Sequence, residues 1–170
     1  MGKLLLAVGL LLAWLWYGPG ELTLPDFTQE AQSVQEEVAT DATSTISFVI
    51  DGDTVVLADN ERVRLLGIDT PEEGECYYQE ATKYVEELAL GRTVRLEADA
   101  ANRDEYDRLL RHVFVSVTDT APAVHVNERL VQRGYAEVLE VAPNTAYREA
   151  LRAAEQDAKA TNVGRWSVCQ

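Results

Sequence analysis

The feature that most constrains this chain is residues 50–72, where two apolar runs are bracketed by carboxylates. The runs 54–57 and 63–66 flank the turn sequence Ala58-Asp59-Asn60-Glu61, a pattern that predicts a β-hairpin. A hairpin returns the chain to where it began. Asp51 and Asp53 before it are therefore expected to converge with Asp69 and Glu72 after it. Two unit charges about 4 Å apart repel by roughly 4 kcal/mol at an effective dielectric of about 20, and a whole fold is stable by only about 5–15 kcal/mol. A bound hard cation is the simplest compensation. An all-oxygen donor set with no Cys or His pair nearby suits calcium or magnesium rather than zinc. Arg64, between the carboxylates in sequence, offers a planar fork that matches a phosphate. Metal and guanidinium together point to phosphoester chemistry.

The 170 residues, 46% of them apolar, suit one compact domain with appendages. Residues 1–20 read as a signal peptide or an amino-terminal membrane anchor. Lys3 precedes an apolar run at 4–17, which matches a signal-peptide core and is shorter than the roughly 20 residues of a spanning helix. No Ala-x-Ala site follows the run, so cleavage and retention both stay open. Either one implies an extracellular or cell-surface address. Residues 21–45 hold six acids and no Lys or Arg, which predicts a flexible acidic linker. The folded domain is then expected at 46–170. Cys76 and Cys169 are the only two cysteines, and in an exported chain an even count favours a disulfide.

The formal charge of −14 is awkward for a partner of nucleic acid. The first 44 residues hold six acids and one lysine, so the rest of the chain is still at −9. General electrostatic attraction to DNA is absent, and any attraction must be local. At about 1 M salt the Debye length falls to about 3 Å, so long-range repulsion is then screened.

Along the domain, residues 46–50 read as a first strand, and Gly52 reads as a positive-φ position in the turn between two aspartates. Ala81, Tyr84, Val85, Leu88 and Ala89 recur at helical spacing within 77–89 and stop at Gly91. Strands are expected at 93–98 and 109–117 with a polar loop between them, and His112 and His125 are expected to be structural. Asn127 reads as the cap of a short helix ended by Gly134. Pro143-Asn144 opens a last helix with Tyr147, Ala150, Leu151 and Ala154 on one stripe. Five short strands and about three helices make an α+β class, a small barrel with helices packed on it.

In order and spacing, Asp51-Gly52-Asp53-Thr54, Arg64-Leu65-Leu66 and Asp69-Thr70-Pro71-Glu72 resemble the active-site half of the thermonuclease (staphylococcal nuclease-like) family. Tyr106-Asp107-Arg108-Leu109-Leu110 resembles that family's second arginine motif, and residues 126–136 resemble the helix after its last strand. The resemblance implies a five-stranded OB-fold barrel and an exported, monomeric, calcium-dependent nuclease acting on DNA and also RNA with little sequence preference. It places calcium (Ca2+) on Asp53, Asp69 and the Thr70 carbonyl, and it places Arg64 and Arg108 on the phosphate. Glu72 then orients or deprotonates the attacking water, with Asp51 in support. Asp107 replaces a glycine of the family pattern and is expected to pair with Arg108, and Glu105 replaces a lysine. Residues 137–141 lack the family's two stacking tyrosines, which implies weaker hold on a base. Two other readings use the same residues: a non-catalytic barrel serving as an interaction module, and a calcium-binding surface domain without hydrolysis.

Overall fold

The computed structural model describes residues 40–118 and 120–169. The apolar run at 4–17 and the linker up to residue 39 lie outside the described residues. β1 (Ala42–Val49), β2 (Thr54–Leu57) and β3 (Arg62–Leu65) form an antiparallel meander. β5 (Thr93–Arg103) pairs with the other edge of β1, and β6 (Leu109–Val115) pairs with β5. A parallel pairing of β3 with β6, in the register Val63↔Leu109 and Arg64↔Leu110, closes the five strands into a barrel. Closure leaves these five strands no long free edge. The expected OB-like α+β barrel is therefore present. β7 (Val124–His125) adds to β6, and β4 (Ile68–Asp69) pairs with β8 (Glu137–Val138) in a separate small sheet.

Alternation fills the barrel. Val55 and Leu57, Val63 and Leu65, Val94 and Leu96, and Val113 and Val115 are all buried, each pair two residues apart on its strand. α1 (Tyr78–Ala89) covers this core with Ala81, Val85 and Ala89. α2 (Val126–Gln132) adds Leu130 and Val131, and α3 (Arg148–Ala160) adds Leu151, Ala154 and Ala158. A one-turn helix, α4 (Arg165–Val168), precedes Cys169. Cys169 is bonded to Cys76, 93 residues earlier. Closing a loop of that length is worth about 4–5 kcal/mol in the chain-entropy account, and it ties the carboxy terminus to the loop before α1.

Several local expectations give way to tertiary pairing. β1 starts at Ala42 rather than residue 46, because Ala42, Thr43, Ser44 and Thr45 pair with Leu96, Arg95, Val94 and Thr93. β5 runs on through the expected polar loop to Arg103, which pairs with Leu109 after a register shift. α3 begins at Arg148, and Ala150 is exposed rather than part of the inward stripe. Asn127 does not cap α2. It is fully buried, accepting from the Val113 backbone N–H at 2.9 Å and donating to the Leu66 carbonyl at 2.9 Å. It thus replaces backbone partners where β3 and β6 separate. Among the described residues no helix is long and apolar enough to cross a membrane.

The two histidines meet inside the domain. His125 Nε2 lies 3.3 Å from His112 Nδ1, and Phe114 and Tyr147 pack around the pair. Tyr147 donates to Glu97 Oε1 at 2.6 Å, and its hydroxyl is pushed up to about 12 by burial and then by Glu97. Burial, then the charge of the neighbouring His125, pushes His112 down to about 4; burial also pushes His125 down to about 4. Both rings are neutral in the fold and take up protons near 6.5 when unfolded. The unfolded chain therefore binds more protons between those values. Stability present in full above pH 6.5 is predicted to fall as pH drops toward 4, by about 3 kcal/mol per ring at most. Denaturant unfolding at pH 7 and pH 4.5 checks this; equal midpoints contradict it.

Candidate active site

Asp53 is 6% exposed at the start of β2, and its carboxylate is saturated. Oδ2 accepts from the Thr70 backbone N–H at 2.8 Å and from Thr70 Oγ at 2.9 Å. Oδ1 accepts from Thr54 Oγ at 3.1 Å and lies 3.2 Å from Arg64 Nε. Asp51 folds the loop itself, with Oδ1 accepting from the backbone N–H groups of Asp53 at 3.0 Å and Thr54 at 2.7 Å. Gly52 does not adopt the positive φ expected for it. Its role is steric: a Cβ at residue 52 would lie 2.8–2.9 Å from Thr70 Cγ2, Cβ and Oγ. Only a residue without a side chain lets Thr70 approach and bond Asp53.

The four carboxylates do not converge on one point, because Arg64 stands between them. Its Nη2 donates to Asp69 Oδ1 at 2.9 Å, and its Nη1 donates to the carbonyls of Leu65 at 2.7 Å and Ile68 at 2.8 Å. The fork that was expected on a phosphate thus binds both aspartates and the turn between them. Glu72 sits apart on the exposed loop after Pro71, where its backbone N–H bonds Glu75 Oε2 at 2.9 Å.

Arg108 begins β6. The β3–β6 register brings it beside the hairpin, with Nη1 3.4 Å from Thr54 Oγ. Its Nε is held by Asp104 Oδ2 at 2.7 Å, and Asp104 Oδ1 also accepts from the Arg108 backbone N–H at 2.9 Å. Burial pushes Asp104 up, but these hydrogen bonds and the Arg108 charge outweigh it, so its carboxyl sits below the ordinary range. Asp107 does not pair with Arg108 as expected. It takes φ 62°, a left-handed value that Asp tolerates, and lies 3.6 Å from Arg103 instead. Asp104 escaped the sequence reading, though its position four residues before Arg108 was the available signal.

Arg64 and Arg108 line one concavity of about 410 Å³ with Tyr106, Leu139, Val141 and Pro143. Leu139 and Val141 give it an exposed aliphatic wall in place of stacking rings. Tyr106, 63% exposed, supplies one ring, with the Arg108 guanidinium 5.4 Å from its centroid. Tyr106 stands in the second arginine motif of the sequence, where no stacking role is assigned to it.

Among the described residues, no three Asp, Glu, His or Cys side chains gather closely enough to hold a metal unaided. The donor chemistry still fits a hard cation. Burial raises the Asp69 carboxyl, Arg64 opposes this, and the charges of Asp53, Glu137 and Glu75 raise it further. Burial and then Asp53 raise Asp51. A divalent ion would favour the charged form of these carboxylates against burial and against one another, and calcium completes its shell with carbonyls and water. Glu137 reaches the site because it pairs with Asp69 across β4 and β8.

A family described as "Staphylococcal nuclease homologue" matches residues 62–168. The chain belongs to this family. It is 37% identical over 134 residues to "Endonuclease YncB" of Bacillus subtilis, a match covering 72% of this chain and 61% of that protein. It is 36% identical to "SPbeta prophage-derived endonuclease YokF" of Bacillus subtilis, covering 72% of this chain and 43% of that protein. It is also 30% identical to a "Thermonuclease" of Staphylococcus intermedius, covering 71% and 74%. The chain thus spans 61% and 43% of the length of the two Bacillus relatives. Asp51, Gly52 and Asp53 precede the span matched by the family, so within this member their role rests on the contacts above.

Gly52→Ala is predicted to force Thr70 away from Asp53 and to lower stability by about 1–3 kcal/mol, the usual cost of overpacking. Denaturant unfolding measures it, and a wild-type midpoint contradicts the packing described.

Proposed function

We propose that this chain is an exported, calcium-dependent nuclease that hydrolyses phosphodiester bonds of DNA, and also RNA, with little sequence preference. The observation that carries this reading is that Arg64 and Arg108 open onto one concavity beside the Asp53 and Asp69 carboxylates. Two guanidinium groups on one concavity supply local positive charge in a chain at −14. The relatives named as endonucleases and thermonuclease support the same activity. The apolar run at 4–17 and the Cys76–Cys169 bond support export, since disulfides persist in oxidising compartments.

Calcium held by Asp69, the Thr70 carbonyl and Asp53, the last giving up one of its four present contacts, would supply Lewis-acid charge beside the scissile phosphate. Arg64 keeps one hydrogen-bonded arm on the Leu65 and Ile68 carbonyls and turns its Nη2 from Asp69 toward a phosphoryl oxygen. Arg108 offers Nη1 and Nη2 while Asp104 holds Nε, so its fork is pre-aimed. Charge that builds on the phosphoryl oxygens is met by both forks. Glu72, free of side-chain partners among the described residues, orients or deprotonates the attacking water. Leu139 and Val141 contact sugar and base without stacking, which fits low base preference.

Those same two aliphatic residues favour an alternative, a barrel that binds nucleic acid without cleaving it. Glu72→Gln and Arg108→Ala separate the two. Each is predicted to lower DNA-cleavage turnover by about 100-fold or more while the unfolding midpoint of Glu72→Gln stays at the wild-type value. Unchanged turnover in both variants removes the site assignment.

A further inference from the structure

Away from the arginine concavity, Tyr77, Tyr84 and Tyr135 form an aromatic stack that the proposed reaction does not use. Tyr135 is the middle ring, 5.6 Å from Tyr77 at 30° and 4.7 Å from Tyr84 at 24° between centroids and planes. Among the described residues none of the three hydroxyls has a hydrogen-bond partner. Tyr77 and Tyr135 line a surface recess of about 580 Å³ together with Arg129 and Arg133, one helical turn apart at the end of α2. Burial raises the Tyr84 hydroxyl, and the charges of Arg129 and Arg133 pull it back down, which places both guanidinium groups near the stack.

Two features set this recess apart from ordinary surface. Seven other arginines hold ion pairs, whereas among the described residues Arg129 and Arg133, like Arg62 and Arg92, have no carboxylate partner, and Arg129 and Arg133 share one recess. In a chain with 29 acids and 15 bases, an adjacent uncompensated pair of cations is exceptional. The second feature is Tyr77 itself, which takes φ 77° and ψ 6°. A bulky residue in the left-handed region is an outlier that persists where the surroundings hold it, and such outliers cluster at ligand clamps. Cys76, bonded to Cys169, fixes the preceding residue.

The recess is also near the candidate active site along the chain. Tyr135 lies two residues before Glu137, which pairs with Asp69. Two Cα steps and one antiparallel pair span at most about 13 Å, the reach of a few nucleotides.

We propose that this recess is a second contact for single-stranded nucleic acid, with Arg129 and Arg133 on phosphates and the Tyr77 and Tyr135 rings against a base. Such a contact combines local positive charge with a stacking face, which binds any base. It rests on the nuclease reading for its ligand and extends it: the strand is gripped outside the reacting concavity, in a protein whose overall charge repels it.

The test uses the full chain, the double variant Arg129→Gln/Arg133→Gln and the variant Tyr77→Gly, a residue suited to positive φ. Binding of a labelled single strand of about 12 nucleotides is measured with chelator across a salt series, and cleavage of a dinucleotide substrate is measured with calcium. Both variants are expected to cleave the dinucleotide at the wild-type rate and to bind the longer strand about tenfold more weakly. The double variant is also expected to flatten the log K against log salt slope by about 1.4, two phosphates at about 0.7 each. Wild-type affinity and slope in folded variants overturn the proposal while wild-type cleavage leaves the nuclease reading standing. Weakened binding in the arginine variant with none in Tyr77→Gly also overturns it, leaving an anion site only. Strand binding that both variants lose, in a wild-type chain that cleaves nothing, supports this contact and removes the nuclease reading.

Discussion

The guanidinium of Arg64 is the group on which the candidate site depends. Through Asp53, Asp69 and the carbonyls of Leu65 and Ile68 it joins the start of β2, the end of β3 and the whole of β4. Asp53 is nearly fully buried, and a buried charge stripped of its partner costs about 3–5 kcal/mol. The contact between the Gly52 turn and Thr70 is therefore held by electrostatics and hydrogen bonds, while the hairpin between them packs through Val55, Leu57, Val63 and Leu65. The same contacts explain how several acids can sit together before any cation arrives. Arg64 serves as the resident positive charge, and in the proposed reaction it is the group that a substrate phosphate would recruit.

Barrel closure turns this local arrangement into a site. The parallel pairing of β3 with β6 sets Arg108 beside the hairpin; in sequence the two arginines are 44 residues apart. Asp104 then fixes one edge of the Arg108 guanidinium and leaves the other edge toward the concavity. A fold of this kind hosts many activities. What favours phosphodiester chemistry here is the particular pairing of two forks with hard oxygen donors.

The hairpin was legible because turn residues between two β-favouring runs act locally, and the helix over residues 77–89 was legible from its apolar period. Cys76 and Cys169 were legible as a pair because only two cysteines exist. The failures share one physical cause, contacts distant in sequence. Asn127 carries the usual capping residue type but spends its side chain on Val113, Leu66 and Arg111. Gly52 looked like a conformational glycine but is a spacing glycine, since its constraint comes from Thr70. Arg64 looked like a phosphate ligand alone, because nothing in its neighbours announces that the turn carbonyls will face it. Asp107 drew attention at a position where the useful partner was Asp104, one turn earlier.

The central claim is that carboxylates Asp53 and Asp69, with two arginine forks, form a calcium-dependent phosphodiesterase centre. The most direct test is incubation of the wild-type chain with single- and double-stranded DNA in the presence of calcium or of a chelator, at salt from dilute to molar. The account predicts cleavage with calcium and none with chelator, strongest where salt screens the acidic surface. A folded chain that leaves both substrates intact in calcium at every salt concentration contradicts it.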